Sequence, residues 1–255
     1  MPQLDWHFDK RRISGLDESL SRYSPREFES PTRSTVPLLS FLKHGGKMRD
    51  AILTRLLQST SSLTAHLEYQ VKAPMGRGKA SHTDLMLLND SQAIAMEAKW
   101  TEPRYPEVCA WDDKSTNRQQ VLEGWLSLIR PFALPPLARD NVHHTVYQML
   151  HRTASACSFH RSPTLAYLQF KLLPDGQLPE TSLVRDLEEL FRTLGSPAEL
   201  RFCLVTVFMS QTEGFGAIRN LPKGVPETAH AVKAALLNGP IFYFVDFDIQ
   251  EFARA

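Results

Sequence analysis

The feature that most constrains the fold is a pair of short apolar segments separated by a turn. Residues 84–88 and 93–100 are mostly apolar, and residues 89–92 between them read Asn-Asp-Ser-Gln, a sequence typical of a tight turn. Apolar side chains fall on both faces of the two predicted strands. Strands of this kind are typical of the centre of a sheet that is covered on both sides. The pattern therefore predicts an α/β fold with this hairpin near the middle of its sheet.

Three ionisable residues stand out within this apolar hairpin: Asp84, Glu97 and Lys99. If the turn is centred between Asp90 and Ser91, residues whose numbers add up to 181 face each other, so Asp84 lies opposite Glu97. Lys99, two residues further on, shares that face. The opposite register would send the two acids to different faces, so the inference depends on the turn.

Two carboxylates that face each other destabilise a sheet unless a cation, a shared proton or Lys99 offsets the repulsion. Mg²⁺ is a natural counter-charge, with Mn²⁺ as a substitute, because it binds one or two carboxylates together with waters and phosphate oxygens. Such an ion lowers the pKa of a bound water and neutralises charge on a phosphodiester transition state. Lys99 could orient or deprotonate that water, or stabilise the phosphorus centre. The alternative is a salt bridge in an α/β protein of another function.

The stretch Ser81-His82-Thr83-Asp84, followed after twelve residues by Glu97-Ala98-Lys99, resembles the PD-(D/E)XK nuclease superfamily. Thr83 stands where the family has a proline, a position that varies among such enzymes. The resemblance covers about residues 48–172. It implies an α-β-β-β-α-β order in a restriction endonuclease-like fold, a mixed central sheet flanked by helices. It also implies a metal-dependent DNA endonuclease.

Two further residues carry over from the resemblance. Glu68, on a predicted strand over residues 67–71, is similar to an acidic residue that many members contribute to the metal site. Gln148, on a helix predicted from residue 145, is similar to a polar residue that reaches the site in several members. The resemblance thus implies Asp84, Glu97 and Glu68 as metal ligands, Lys99 as the catalytic cation and Gln148 as a positioning residue.

Candidate DNA contacts lie beside the hairpin and on the following helix. Residues 74–80 form a glycine-bearing basic loop, whose backbone N–H groups and cations suit phosphate. A flexible connection between strands is an equally good interpretation of this loop. It is not a nucleotide-binding P-loop, because Ala80 replaces the required Ser or Thr. The residues predicted to contact nucleic acid are Arg77, Lys79, His82 and Arg152.

Histidines and cysteines also gather between residues 143 and 160. They are His143, His144, His151, Cys157 and His160. Their spacings match no zinc-binding pattern, so they are predicted to be solvated or packed side chains.

The chain is predicted to form one domain with additions. Residues 1–35 hold few large apolar groups and are expected to be a loosely ordered lead-in. Residues 36–255 are predicted to form a single nuclease-like domain that begins with helices and has its core at about 48–172. Within it, residues 102–142 are expected to be a helical insertion, and residues 173–255 to add strands and helices.

Composition limits the partners. The chain has 29 Lys plus Arg and 28 Asp plus Glu, so DNA binding must come from local basic patches, a homodimer or a partner. Three widely spaced cysteines suit a reducing compartment, and the sequence shows neither a signal peptide nor a membrane span. A cytoplasmic location is expected. Two competing functions remain: a non-cleaving nucleic-acid- or protein-binding module on the same fold, and an unrelated small-molecule protein with a deep apolar pocket away from the hairpin.

Overall fold

The computed structural model describes residues 4–57, 62–134, 136–173 and 182–252. The strands are β1 Leu4–Phe8, β2 Arg11–Arg12, β3 Leu63–Val71, β4 Ser81–Leu88, β5 Gln92–Lys99, β6 Ser162–Leu172, β7 Arg201–Gln211 and β8 Phe242–Phe252. The helices are α1 Leu16–Arg22, α2 Thr35–His44, α3 Gly46–Leu56, α4 Val108–Trp111, α5 Thr116–Ile129, α6 Tyr147–Cys157, α7 Ser182–Thr193, α8 Glu213–Ile218 and α9 Pro226–Asn238.

All of these strands join one mixed sheet in the order β2-β1-β3-β4-β5-β6-β7-β8. β3, β4 and β5 pair antiparallel, β5, β6 and β7 pair parallel, and β8 returns antiparallel to β7. The hairpin of β4 and β5 is therefore central, as its two apolar faces predicted. The mixed α/β sheet flanked by helices is confirmed, and the order α3, β3, β4, β5, α6, β6 runs through it with α4 and α5 inserted before α6.

The hairpin register is the one expected from a turn centred between Asp90 and Ser91. Leu85 pairs with Met96 and Leu88 with Ala93, so paired residues add up to 181. A one-residue shift would have exchanged the two faces of both strands. The register therefore keeps the even-numbered residues of β4 and the odd-numbered residues of β5 on the same side of the sheet.

Two helical layers cover the sheet. On one side, Leu85 and Leu87 belong to a core cluster that also contains buried residues of α2, α3 and α9. On the other side, Met86 and Ala95 pack against Ala156 of α6. The α6 side is also the side of the predicted carboxylates, since Met86 and Asp84 lie two residues apart on one strand. Helix α6 therefore lies over the predicted site.

The N-terminal segment corrects one expectation. The structure gives a packed segment where residues 1–35 were expected to be a loosely ordered lead-in. Within the described residues, β1 pairs parallel with β3, and Tyr23 and Phe28 are buried in the core. The few large apolar residues of this segment are spaced so that they enter the core, which composition alone did not reveal.

The predicted insertion over 102–142 contains α4 and α5, and α5 packs on α6. The Trp125 indole N–H of α5 donates a hydrogen bond of 3.2 Å to the Tyr147 hydroxyl of α6. In the part of the chain that the structure describes, no helix combines the length and apolar composition needed to cross a membrane.

Candidate active site

The candidate site begins where the two strands of the hairpin diverge. The paired positions of β4 and β5 run from Leu88 only as far as Leu85, opposite Met96. Two residues beyond Met96, the backbone N–H of Ala98 donates a 2.8 Å hydrogen bond to Oδ2 of Asp84, the side chain of the first residue of β4 past the last pair. This hydrogen bond fixes the position of the Asp84 carboxylate at the end of the ladder.

Glu68 lies beside Asp84 on the neighbouring strand. Leu67 pairs with Leu85 and Tyr69 with Thr83, so the intervening Glu68 falls opposite Asp84. Its φ angle is +53°, in the left-handed region that residues other than glycine adopt infrequently. Such local strain is common at functional sites. No sequence pattern indicates this conformation, because only the fold holds a glutamate in it.

Glu97 is the most buried of the three acids, with 3% of its surface exposed. Its Oε1 accepts hydrogen bonds from Lys99 Nζ at 3.1 Å and from Gln148 Nε2 at 2.7 Å. Its Oε2 accepts one of 2.6 Å from Arg152 Nε. The predicted grouping of Glu97, Lys99 and Gln148 is therefore present, and both oxygens of the carboxylate are held by donors.

Helix α6 delivers two of those donors from one face, because Gln148 and Arg152 are four residues apart, about one helical turn. Arg152 was predicted to contact DNA, and the structure corrects this. The guanidinium is buried, binds Glu97 and donates from Nη1 to Ser81 Oγ at 2.6 Å. The prediction was wrong because sequence position showed the helix but not which side chains point into the sheet.

The charges of the site act in opposite directions on its two central acids. Burial raises the pKa of Asp84 well above its usual value, and the negative charges of Glu97 and Glu68 raise it further. Burial alone would also raise the pKa of Glu97, but the charges of Arg152 and Lys99 outweigh it and hold that pKa below its usual value. Glu97 is therefore ionised, whereas Asp84 lacks a sufficient counter-charge.

The donor set suits a hard divalent cation. Three carboxylates against Lys99 and Arg152 leave one surplus negative charge in this buried region, and oxygen ligands are those that Mg²⁺ prefers. Glu68, Asp84 and Glu97 do not all bring ligand atoms within 4.8 Å of one another among the described residues. Mg²⁺ commonly binds through one or two carboxylates and retains waters. Two carboxylates, those of Asp84 and Glu97, would be enough for such an ion, with Glu68 beside them.

A cleft of about 230 Å³ opens next to Lys99 and Gln148. Tyr105 forms one wall, with its ring centre 4.9 Å from Lys99 Nζ. Tyr167 also lines the cleft, and its buried hydroxyl has no hydrogen-bond partner among the described residues. Sequence reasoning missed both tyrosines. Tyr167 pairs with Glu97 across β5 and β6, a relation that appears only once the parallel register is known.

The basic loop of residues 74–80 is docked against α5. The Arg77 backbone N–H donates to Asn117 Oδ1, and Asn117 Nδ2 donates back to the Arg77 carbonyl, both at 2.7 Å. The side chains of Arg77 and Lys79 are exposed, and they line a cavity of about 320 Å³ that His151 also lines. A loop fixed in this way favours the phosphate-contact interpretation over a flexible connection. His82 is also exposed, 3.5 Å from the Glu68 carboxylate.

Comparison with known proteins adds a family but no activity. A family model described as a domain of unknown function, DUF6946, matches residues 13–207, a range that includes every residue of the candidate site. No curated protein and no solved structure matches the chain.

Proposed function

The chain belongs to the DUF6946 family, whose function is unknown, and we propose from its own site that it is a Mg²⁺-dependent deoxyribonuclease with a restriction endonuclease-like fold. The substrate is a DNA phosphodiester and the reaction is hydrolysis. The observation that carries the proposal is the grouping of buried Glu97 with half-buried Asp84 and Lys99 at the diverging end of a central hairpin. An apolar environment does not collect such groups without a cost in stability.

Asp84 and Glu97 would hold the ion, with Glu68 as an additional acidic ligand. A bound Mg²⁺ supplies a more acidic water and a positive charge next to the phosphate. Arg152 and Lys99 keep Glu97 ionised, and the hydrogen bonds from Gln148 and Arg152 fix its direction. Lys99 Nζ lies between Glu97 and the cleft, where it can orient a water or donate to a phosphate oxygen.

The DNA backbone would follow the basic loop. Arg77 and Lys79 are exposed on a loop that leads directly into β4, so a phosphate bound there would lie near the beginning of the strand that carries Asp84. His82, exposed two residues before Asp84, completes this surface. These contacts suit a near-neutral protein that relies on a local patch for affinity.

One observation favours the second candidate, a non-cleaving nucleic-acid- or protein-binding module on the same fold. Arg152, Lys99 and Gln148 already satisfy both oxygens of Glu97 without any metal. A site that keeps this arrangement permanently would be structural. The unrelated small-molecule function receives less support, because a cavity of about 750 Å³ away from the site, beside the hairpin turn, includes the polar residues Asp90, Arg161 and Glu199 in its lining.

The test is cleavage of plasmid and linear DNA by the purified chain with Mg²⁺, Mn²⁺ or EDTA. Asp84→Asn and Lys99→Met should each lower the cleavage rate by at least about 100-fold, in line with the loss of one transition-state contact. Asp90→Asn, an exposed acid in the turn of the same hairpin, is the matched control and should cleave normally.

Thermal unfolding of each variant shows whether a loss of cleavage activity is due to the missing side chain or to an unfolded protein. Cleavage that persists in both site variants would refute the nuclease assignment. DNA binding without cleavage, together with Mn²⁺ titrations that show no site dependent on Asp84, would support the non-cleaving module instead.

A further inference from the structure

A second cluster of metal-ligating side chains lies outside the carboxylate site. Glu107, Cys109 and His144 each offer one ligand atom, and these atoms all lie within 4.8 Å of one another. Along the sequence, His144 belongs to a group of histidines and Cys157 whose spacings match no zinc-binding pattern. Its partners lie 37 and 35 residues earlier in the chain, so the fold alone brings the three together.

The distances from Glu107 to its two neighbours are those of a tetrahedral metal site. Glu107 Oε2 lies 3.7 Å from Cys109 Sγ and 3.4 Å from His144 Nδ1. Zinc bonds of about 2.3 Å to sulfur and about 2.1 Å to nitrogen or oxygen, at tetrahedral angles, place such ligand pairs about 3.6 Å and about 3.4 Å apart. Glu107 is thus spaced from both other ligands as a bound ion requires, and the ligand atoms of Cys109 and His144 lie within 4.8 Å of each other.

The backbone under the cluster is already fixed. The N–H of Cys109 donates to the carbonyl of His143 at 2.9 Å, and Glu107 forms an isolated antiparallel bridge with Val146. Arg104 Nη2 donates to the other oxygen of Glu107, Oε1, at 3.1 Å. This contact orients the carboxylate so that Oε2 faces the thiol and the imidazole, the kind of support that ligands of metal sites commonly receive.

We propose that Glu107, Cys109 and His144 bind one Zn²⁺ ion, whose fourth position faces solvent. A thiol, an imidazole and a carboxylate form a mixed set that suits Zn²⁺ rather than Mg²⁺. Cys109 is exposed, as is 78% of the His144 side chain, so an ion has access to the site. On binding, Cys109 coordinates as the thiolate and its proton passes to solvent.

The ion would stabilise one wall of the candidate active site. It would link the segment that carries Arg104 and Tyr105, both lining the cleft next to Lys99, to the turn that precedes α6. Helix α6 in turn carries Gln148 and Arg152. The zinc site nevertheless stands apart from the proposed nuclease chemistry, and either proposal can fail without the other.

The test is titration of the full chain with Co²⁺, a spectroscopic substitute for Zn²⁺, followed by displacement with Zn²⁺. We expect a near-ultraviolet thiolate-to-cobalt charge-transfer band that saturates at one Co²⁺ per chain, and a site made only of oxygen ligands does not produce this band. Cys109→Ser should abolish the band, and His144→Ala should weaken Zn²⁺ binding by more than about tenfold. His143→Ala is the matched control, and Asp84→Asn should keep the band.

A thiol reagent gives an independent readout. Cys157 and Cys203 are buried, so the native chain should have one fast-reacting thiol, Cys109, and Zn²⁺ should slow its reaction. A wild-type chain that shows no charge-transfer band and no protection would overturn the proposal. A band that survives Cys109→Ser would do the same.

Discussion

Replacement of Arg152 by methionine tests whether the buried pair with Glu97 organises the site. Methionine keeps much of the buried volume but removes the hydrogen bond from Arg152 Nε to Oε2 of Glu97. Ser81 Oγ, the other acceptor of Arg152, keeps contacts with His151 and Ser155. The main consequence is therefore one uncompensated oxygen on a buried, ionised carboxylate.

The magnitude follows from that loss. Removal of one partner from a buried ion pair costs about 3–5 kcal/mol. Lys99 and Gln148 still hold Oε1 of Glu97, so we expect the lower end, about 3 kcal/mol in the free energy of unfolding. That is about 150-fold in the folding equilibrium. For a chain of this size it corresponds to a fall of about 6–12 °C in Tm.

The cost should depend on pH with a definite sign. Arg152 helps to lower the pKa of Glu97 in the folded state, so this stabilisation is present above the unfolded pKa of about 4.3. It is lost as the pH falls through the lower folded value. The difference in the free energy of unfolding between wild type and Arg152→Met should therefore be largest near neutral pH and shrink below about pH 4.

Urea unfolding followed by circular dichroism in EDTA measures this difference. Arg192→Met, which removes an exposed arginine on α7, is the control and should change stability by less than about 0.5 kcal/mol. The double variant Glu97→Gln with Arg152→Met should recover at least about 1 kcal/mol relative to the sum of the single changes. If Arg152→Met is as stable as the control, or if the two changes are additive, the buried pair does not organise the site.

Asp84→Asn should stabilise the metal-free protein by about 1 kcal/mol near neutral pH, because the raised pKa of Asp84 makes its ionisation costly in the folded state. In urea unfolding this gain should vanish below the unfolded pKa of about 3.9, and an unchanged gain there would contradict the explanation. Gly124→Ala on α5 should destabilise by about 1–3 kcal/mol, since its Cβ would meet a backbone nitrogen of the basic loop at 2.8 Å. Gly216→Ala on α8, where no atom lies within 4 Å of the new Cβ, should be neutral or stabilising. Replacement of both Arg77 and Lys79 by alanine should weaken DNA binding at every sequence and lower the slope of log affinity against log salt by about 2, measured by fluorescence anisotropy.

The sequence predicted the parts of the site that depend on local pairing. A turn centred between Asp90 and Ser91 set the register, and the period of two along each strand then brought Asp84, Glu97 and Lys99 to one side. The position of Gln148 followed from the resemblance and is present in the structure. These residues lie on a hairpin and on the helix that covers it, so their positions depend little on contacts between distant segments.

The parts that escaped prediction depend on contacts between distant segments. Arg152 could be placed on a helix, but its direction is set by Glu97 and Ser81, 55 and 71 residues away. Tyr167 enters the site through parallel pairing of β5 with β6, which sequence patterns do not specify. Phe28 became part of the core although its segment looked polar, because a few large side chains, Leu20, Tyr23 and Phe28, are enough to anchor the segment. Composition averages over such residues and therefore misses them.

Arg152 also helps to distinguish a nuclease from a non-cleaving binding module. A guanidinium and a divalent cation can each neutralise the same excess of carboxylate charge. If the two compete for Glu97, removal of Arg152 strengthens metal binding and the intact arginine marks a metal-free, structural site. Alternatively, Arg152 holds Oε2 of Glu97 in place, so that an ion can bind between Asp84 and a free lone pair of Glu97. Removal of the arginine then weakens metal binding, because the carboxylate is no longer oriented. Mn²⁺ titrations of Arg152→Met and wild type distinguish these two cases, because the variant binds Mn²⁺ more tightly in the first and more weakly in the second. The nuclease proposal requires weaker binding by the variant.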